Sequence, residues 1–392
     1  MDEKENRRFH LKCFLGGVLT ACLAMALLYF IVMLVPLNTT PGTPDSIQTF
    51  KKVKEIERLI EKNYLGEVDE QTQTDYMFLG LVAGLEDRYS TYYTKEAYEE
   101  IKRAQTGSYV GIGITIAQRS EDEKLQIVNC IEDSPADRSG VKVGDIIEKI
   151  NGTDVTGMTS SQAVEMIQES KEDTIVMVLT REGSTSPITV SVAKETVEMV
   201  SVEGSMLENQ TGYIQITEFT GVTASQFEKV YSQLEKQGMK KLIIDLRGNL
   251  GGLVDGVCNT LRQILPEGVI VYTEDKNGNR EEKLCEGETP LEMPLAVLIN
   301  EKTASAAEIF AGAVQDYEIG TLVGTVTFGK GIVQDAYQLS DGSVLKLTVS
   351  HYYTPKGNDI HGIGITPDVE VEQPEDSEVD VQLKKAMELL NS

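Results

Sequence analysis

Ser305 lies in the run Thr303-Ala304-Ser305-Ala306-Ala307-Glu308, and Lys330 follows 25 positions later in Phe328-Gly329-Lys330-Gly331. A serine among small residues at the head of a helical run presents its hydroxyl openly. That hydroxyl is a weak nucleophile and needs an adjacent base. A lysine amine serves as base only when neutral, and a free lysine has a pKa of ~10.4. Apolar burial disfavours the ammonium and lowers that value, and Phe328, Ile332 and Val333 are available as walls. Serine nucleophile plus lysine base is chemistry for cleaving peptide bonds. Taken singly, each residue also has an ordinary reading: Ser305 as a helix N-cap, Lys330 as a solvated surface lysine. The surrounding elements must decide.

From Gly212 onward, strands alternate with helices, as in an α/β layer. Tyr213–Ile216, Leu242–Leu246 and Leu295–Asn300 read as strands, and Ser225–Gln237 and Ala304–Val314 as helices. The second strand runs into Arg247-Gly248-Asn249-Leu250-Gly251-Gly252, and strands at Val344–Tyr352 follow the Lys330 loop. Upstream, Ser108 opens a different texture. Tyr109-Val110-Gly111-Ile112-Gly113-Ile114 alternates glycine with β-formers, Val143–Gly152 is a strand closing on an Asn-Gly turn, and Ser160–Glu169 is an amphipathic helix. Between Ile47 and Gln105 the apolar residues recur at helical spacing, with Asp87–Tyr92 read as a loop.

A chain of 392 residues calls for two or three domains. Its net charge of −26 argues against nucleic acid, which needs a clustered basic face. The five cysteines are scattered without a CxxC or His/Cys cluster, so neither a metal site nor a disulfide framework is expected. No cofactor is called for either. Leu15–Leu37 carries no charge and is long enough to span a bilayer, which takes ~20 apolar residues. Arg7, Arg8 and Lys12 precede it and favour a cytoplasmic N-terminus. The rivals are a cleaved signal peptide, with an apolar region of only ~7–15 residues, and a lipoprotein-type box at Leu19-Thr20-Ala21-Cys22.

Two resemblances follow from these motifs. The stretch Thr106–Glu195, with Ser134-Pro135-Ala136 and the Gly144-Asp145…Ile150-Asn151-Gly152 run, resembles a PDZ domain. Such domains add an extended peptide as a strand and hold its terminal carboxylate on backbone N–H groups of a glycine loop, here Tyr109, Val110, Gly111, Ile112 and Gly113. The order of anchor, PDZ, Leu242–Gly252, Thr303–Glu308, Phe328–Gln334 and Gly362–Val369 resembles the carboxy-terminal processing peptidases, bacterial serine endopeptidases with a Ser-Lys pair. The resemblance implies Ser305 as nucleophile, Lys330 as base and Gln334 as its support. The oxyanion candidates are the N–H groups of Gly251 or Gly252 and of Ala306 at a helix N-terminus.

The implied fold is an α/β core of the crotonase/ClpP-like kind with an inserted PDZ domain, an N-terminal helical region and a transmembrane helix. The expected divisions are a cytoplasmic N-terminus (1–14), anchor (15–37), linker (38–46), helical region (47–105), PDZ domain (106–195), protease core (196–370) and tail with a short helix (371–392). The expected protein is a single-pass bacterial membrane endopeptidase with its catalytic domain outside the cytoplasm. Its partners are protein or peptide substrates with accessible C-termini, the membrane, and a homo-oligomer as one arrangement open to it. A non-catalytic PDZ scaffold and a crotonase-like acyl-CoA enzyme are the alternatives. Asp245 and Arg247 are read as a structural pair, and Glu308 as structural. A catalytic His351 or His361 is disfavoured because the Ser-Lys match needs neither.

Overall fold

The computed structural model describes residues 46–374 and 377–391. The expected membrane anchor at 15–37 lies outside the described residues, among which no helix is long and apolar enough to cross a membrane. Two compact units divide the chain between Thr74 and Asp75. In the first, the described residues form helix α1 (Ser46–Asn63) and the start of α2 (Glu70–Ala83).

The second unit begins within α2 and continues into β1 (Thr91–Tyr93) and α3 (Lys95–Thr106). Helix α3 is bounded by local chemistry: Thr94 Oγ1 accepts the Ala97 N–H at its start, and Gly107 takes a left-handed φ of 70° at its end. The sequence places Asp87–Tyr92 in a loop of a helical region. Thr91 and Tyr92 instead enter strand β1, whose Thr91, Tyr92 and Tyr93 pair with Lys346, Leu345 and Val344 of the core. Short strands of this kind are fixed by their partner, not by local periodicity.

The PDZ-like segment comprises β2 (Ser108–Gly111), β3 (Ile114–Gln118), β4 (Leu125–Cys130), α4 (Pro135–Arg138), β5 (Ile146–Ile150), β6 (Thr153–Asp154), α5 (Ser160–Glu169), β7 (Thr174–Thr180), β8 (Ile188–Ala193) and β9 (Glu195–Glu198). The main sheet runs β3-β4-β5-β7-β8, and β2 pairs separately with β9. Thr159 and Gln162 cap α5 reciprocally. Lys194 Nζ donates to the carbonyls of Gln168 and Ser170 at the other end of that helix. Alternate residues of β7 (Ile175, Met177, Leu179) join Ile127, Ile150 and Val192 in one apolar core.

The remaining chain forms β10 (Val202–Leu207), β11 (Thr211–Ile216), α6 (Thr223–Lys236), β12 (Lys241–Asp245), α7 (Val254–Leu261), β13 (Gly268–Asp275), β14 (Arg280–Cys285), β15 (Leu295–Ile299), α8 (Ala306–Asp316), β16 (Thr321–Gly324), β17 (Ile332–Gln338), β18 (Val344–Tyr353), β19 (Val369–Glu370) and α9 (Val381–Leu390). Six strands make a sheet of order β10-β11-β12-β15-β16-β19, parallel except at its β10–β11 edge. Ile244, Val297 and Leu322 face α6, α7 and α8, whereas Ile243, Ala296, Leu298 and Val323 face α9. Burial on both faces explains the unbroken apolar runs of β12 and β15. A second sheet sets β18 between β17 on one edge and β13 and β1 on the other, with β14 outside β13.

Candidate active site

Strands β12, β15 and β16 are neighbours and parallel, so their carboxyl ends open on one edge of the sheet. Ligands favour that edge in α/β folds. The segment after β12 carries Arg247–Gly252, that after β15 carries Ser305, and that after β16 carries Lys330. Sheet topology thus gathers the residues that the sequence scatters.

Ser305 precedes α8 with φ 56° and ψ −118°. For a non-glycine residue this conformation costs of order 1–3 kcal/mol and persists only where surroundings enforce it. Two groups do so here. The Ser305 N–H donates to Glu308 Oε2 at 2.8 Å, and the Ser305 carbonyl accepts from the Tyr352 hydroxyl at 3.0 Å. Burial, and then the charge of Glu308, hold the Tyr352 phenol well above its usual range, which keeps it a donor.

Glu308 is fully buried and does more than cap the helix. Its Oε2 also accepts the Lys330 N–H at 2.8 Å, while Oε1 accepts the Gly329 N–H at 2.7 Å and the Thr327 hydroxyl at 2.5 Å. One carboxylate therefore fixes the backbones of both Ser305 and Lys330. The Lys330 loop is further pinned by Phe328 N–H to the Thr303 carbonyl, Gly362 N–H to the Gly329 carbonyl and Tyr352 N–H to the Gly331 carbonyl.

The Lys330 side chain is half-buried. Burial first, then the charges of Lys346 and Arg88, hold its amine below the ordinary lysine range, against an opposing pull from Glu308. Its Nζ stands 5.0 Å from the centre of the Tyr89 ring. Gln334 lies on β17 beside a bulge, and its amide donates to the Ile332 carbonyl at 3.4 Å. In this arrangement its donor is turned along its own strand and not toward Lys330.

Of the oxyanion candidates, Gly251 and Gly252 have φ of 107° and 129°. A Cβ on Gly251 would come within 2.8 Å of Ser305 Cβ, and one on Gly252 within 2.1 Å of the Phe219 carbonyl oxygen. Glycine is therefore required at both. The Gly251 N–H is spent on Asn249 Oδ1 at 2.8 Å. Among the described residues the Gly252 N–H has no acceptor. Asn249 is fully buried, donates to the Ile216 carbonyl, and its carbonyl accepts the Ala304 N–H. It ties the glycine turn to the Ser305 turn, a role that side-chain chemistry alone does not suggest.

Asp245 and Arg247 form a bidentate pair, as expected from sequence, and the pair extends to Asp380 and Gln382 at the head of α9. Tyr213 also donates to Asp245 at 2.7 Å. His351 faces Asp359 with Nδ1 to Oδ2 at 3.9 Å and meets the His361 ring edge-on at 5.5 Å. Neither histidine hydrogen-bonds Ser305. In the PDZ-like segment, Tyr109, Val110 and Gly111 lie on β2, with Ile112 buried and Gly113 at φ 85°. The Tyr109 ring packs over Gly111, where a Cβ would come within 2.5 Å of it.

A groove of about 850 Å³ adjoins the Ser305 turn, floored by Leu253, Val271, Ile309, Val333 and Tyr352. Leu253 follows the glycine turn and Ile309 lies one helical turn beyond Ser305, so the groove runs along segments that carry the candidate site. Among the described residues no cluster of His, Cys, Asp or Glu could hold a metal ion.

Residues 210–371 match the model of peptidase family S41, and residues 100–180 that of the PDZ domain. The chain is 35% identical over 366 residues to the carboxy-terminal processing protease CtpA of Bacillus subtilis, covering 93% of this chain and 78% of that protein. It is 34% identical over 320 residues to the carboxyl-terminal-processing protease of Synechocystis sp., covering 79% of this chain and 75% of that one. Among solved structures, it matches the photosystem II D1 C-terminal processing protease at 28% identity and a TM-score of 0.48, covering 87% of this chain and 90% of that one.

Proposed function

The chain belongs to peptidase family S41 and is a serine peptidase with a PDZ domain, and we propose that it works through Ser305 as nucleophile and Lys330 as general base. The observation that carries this reading is the Glu308 carboxylate: the Ser305 and Lys330 backbone nitrogens each lie 2.8 Å from its Oε2. That shared acceptor holds the nucleophile-bearing turn and the base-bearing loop in one register.

Ser305 Oγ attacks the scissile carbonyl while Lys330 Nζ takes its proton. The oxyanion forms against the N–H groups of Gly252 and Ala306, the latter at a helix N-terminus that favours negative charge. Gly251 keeps the turn close to Ser305, its own N–H being held by Asn249. The Lys330 ammonium returns the proton to the leaving amine, and water then resolves the ester by the same path. Gln334 stands on the adjoining strand as a second polar group for Lys330 and needs a side-chain rotation to reach it. The groove floored by Val271, Ile309 and Tyr352 takes an apolar substrate side chain.

The PDZ domain binds substrate or partner C-termini through Tyr109–Gly113 and gates access to the site. The apolar run Leu15–Leu37 anchors the protein in a membrane with the catalytic unit outside the cytoplasm. The test is cleavage of an unfolded protein by the purified full chain in detergent, followed by electrophoresis and mass spectrometry of the products. Ser305→Ala and Lys330→Ala should each abolish turnover while leaving thermal unfolding intact. Undiminished cleavage by either variant overturns the assignment.

A further inference from the structure

The turn Asp87–Ser90 lies far upstream of the family-matched peptidase region, yet it reaches Lys330. It is built to hold one shape. The Asp87 carboxylate accepts the Tyr89 N–H at 3.0 Å and the Ser90 hydroxyl at 2.6 Å. Ser90 Oγ in turn accepts the Thr348 N–H of β18 at 3.0 Å, and Thr91 pairs with Lys346 on the same strand. The turn is thus registered on the sheet that borders the site. On it, the Arg88 guanidinium stands 4.7 Å from the Tyr89 ring and 5.3 Å from the Phe328 ring, and it donates to the Tyr89 hydroxyl. The Tyr89 ring carries Lys330 Nζ at 5.0 Å from its centre, while among the described residues that nitrogen makes no hydrogen bond.

We propose that Tyr89 is a positioning residue for Lys330, its ring face stabilising the ammonium that forms as the lysine takes the Ser305 proton. The inference rests on the Ser-Lys reading above. A ring face attracts a cation but not a neutral amine, so the contact strengthens as the proton moves. An interaction stronger in the transition state than in the ground state accelerates the step. The other groups facing the amine act differently: Lys346 from β18 and Arg88 from the turn oppose the ammonium, and Glu308 from α8 favours it. Tyr89 is an uncharged member of this set that follows the proton.

This arithmetic has a pH signature. Where the free enzyme holds a neutral Lys330, removing the ring raises the barrier, and the kcat/KM plateau falls by ~3- to 30-fold. Where the free enzyme already holds the ammonium, ground and transition states lose the same contact and the loss fades. The acid limb therefore moves to lower pH as the plateau drops. A merely structural role lowers both limbs by one factor.

The experiment measures kcat/KM against pH for the full-length protein with Tyr89→Phe as reference, Tyr89→Leu, and mono- and trifluorinated phenylalanine introduced at position 89. Fluorination weakens the ring's negative face at nearly constant shape, so folding is preserved if Tyr89→Leu proves unstable. The expected result is a plateau that falls stepwise with fluorination, with the acid limb shifting toward lower pH. A flat fluorination series, or an equal loss at every pH, overturns the role of Tyr89. If Ser305→Ala is inactive in the same assay the Ser-Lys reading stands regardless, and if it is active that reading falls first.

Discussion

Replacing Glu308 by glutamine changes one oxygen to an amide nitrogen at nearly constant volume. Four donors converge on this carboxylate: the N–H groups of Ser305, Gly329 and Lys330, and the Thr327 hydroxyl. A glutamine carbonyl can serve only one side of that set. Turned toward Ser305 and Lys330, it leaves its NH2 group facing the Gly329 N–H. Thr327 Oγ1, which accepts the Ile365 N–H at 2.7 Å, has a second lone pair for that NH2, but the Thr327 hydroxyl then gives up its own donation to the carboxylate and the Gly329 N–H stays unpaired. Turned the other way, it confronts Ser305 and Lys330 themselves. Either orientation loses two bonds to a charged acceptor, each worth about 1.5–3 kcal/mol. The expected loss is about 3–6 kcal/mol, a large part of the 5–15 kcal/mol typical of a domain. In the second orientation Ser305 also loses one of the two contacts that enforce its strained backbone. Displacements near 1 Å at a reacting group cost ~100-fold in rate, so kcat should fall at least that far. Urea unfolding of Glu308→Gln beside wild type, with kcat/KM on a peptide substrate, reads both quantities. An unchanged unfolding midpoint together with unchanged kcat would falsify the view that this carboxylate registers the two segments.

Removing the Lys346 charge with Lys346→Gln takes away a cation that opposes protonation of Lys330. The Lys330 pKa then rises, the acid limb of kcat/KM moves to higher pH, and activity near neutrality falls; a limb that stays put or moves down refutes the electrostatic account. Gly251→Ala forces a side chain onto φ 107°, with its Cβ 2.8 Å from both Ser305 Cβ and the Ala304 carbonyl oxygen. The strain alone costs about 1–2 kcal/mol, and the clash displaces Ser305, so both the melting temperature and kcat should drop. Retention of full kcat would show that the turn has room the structure denies.

What the sequence supplied by itself was the candidate reactive side chains and the layering of the core. Ser305 and Lys330, each ordinary when taken singly, were legible as candidates through the order of motifs around them, from Leu242–Gly252 to Gly362–Val369. The strands Leu242–Leu246 and Leu295–Ile299 were legible because burial on both faces leaves an unbroken apolar run. Asp245 and Arg247 were legible because buried charges need partners, although Asp380 and Gln382, far along the chain, were not. Only tertiary structure decided the rest, for two physical reasons. Backbone N–H groups carry no sequence signature, so neither the four-donor load on Glu308 nor the engagement of Gly251 by Asn249 could be read from residue types. And the approach of Tyr89 to Lys330 depends on the pairing of β1 with β18, a non-local contact that no local periodicity encodes.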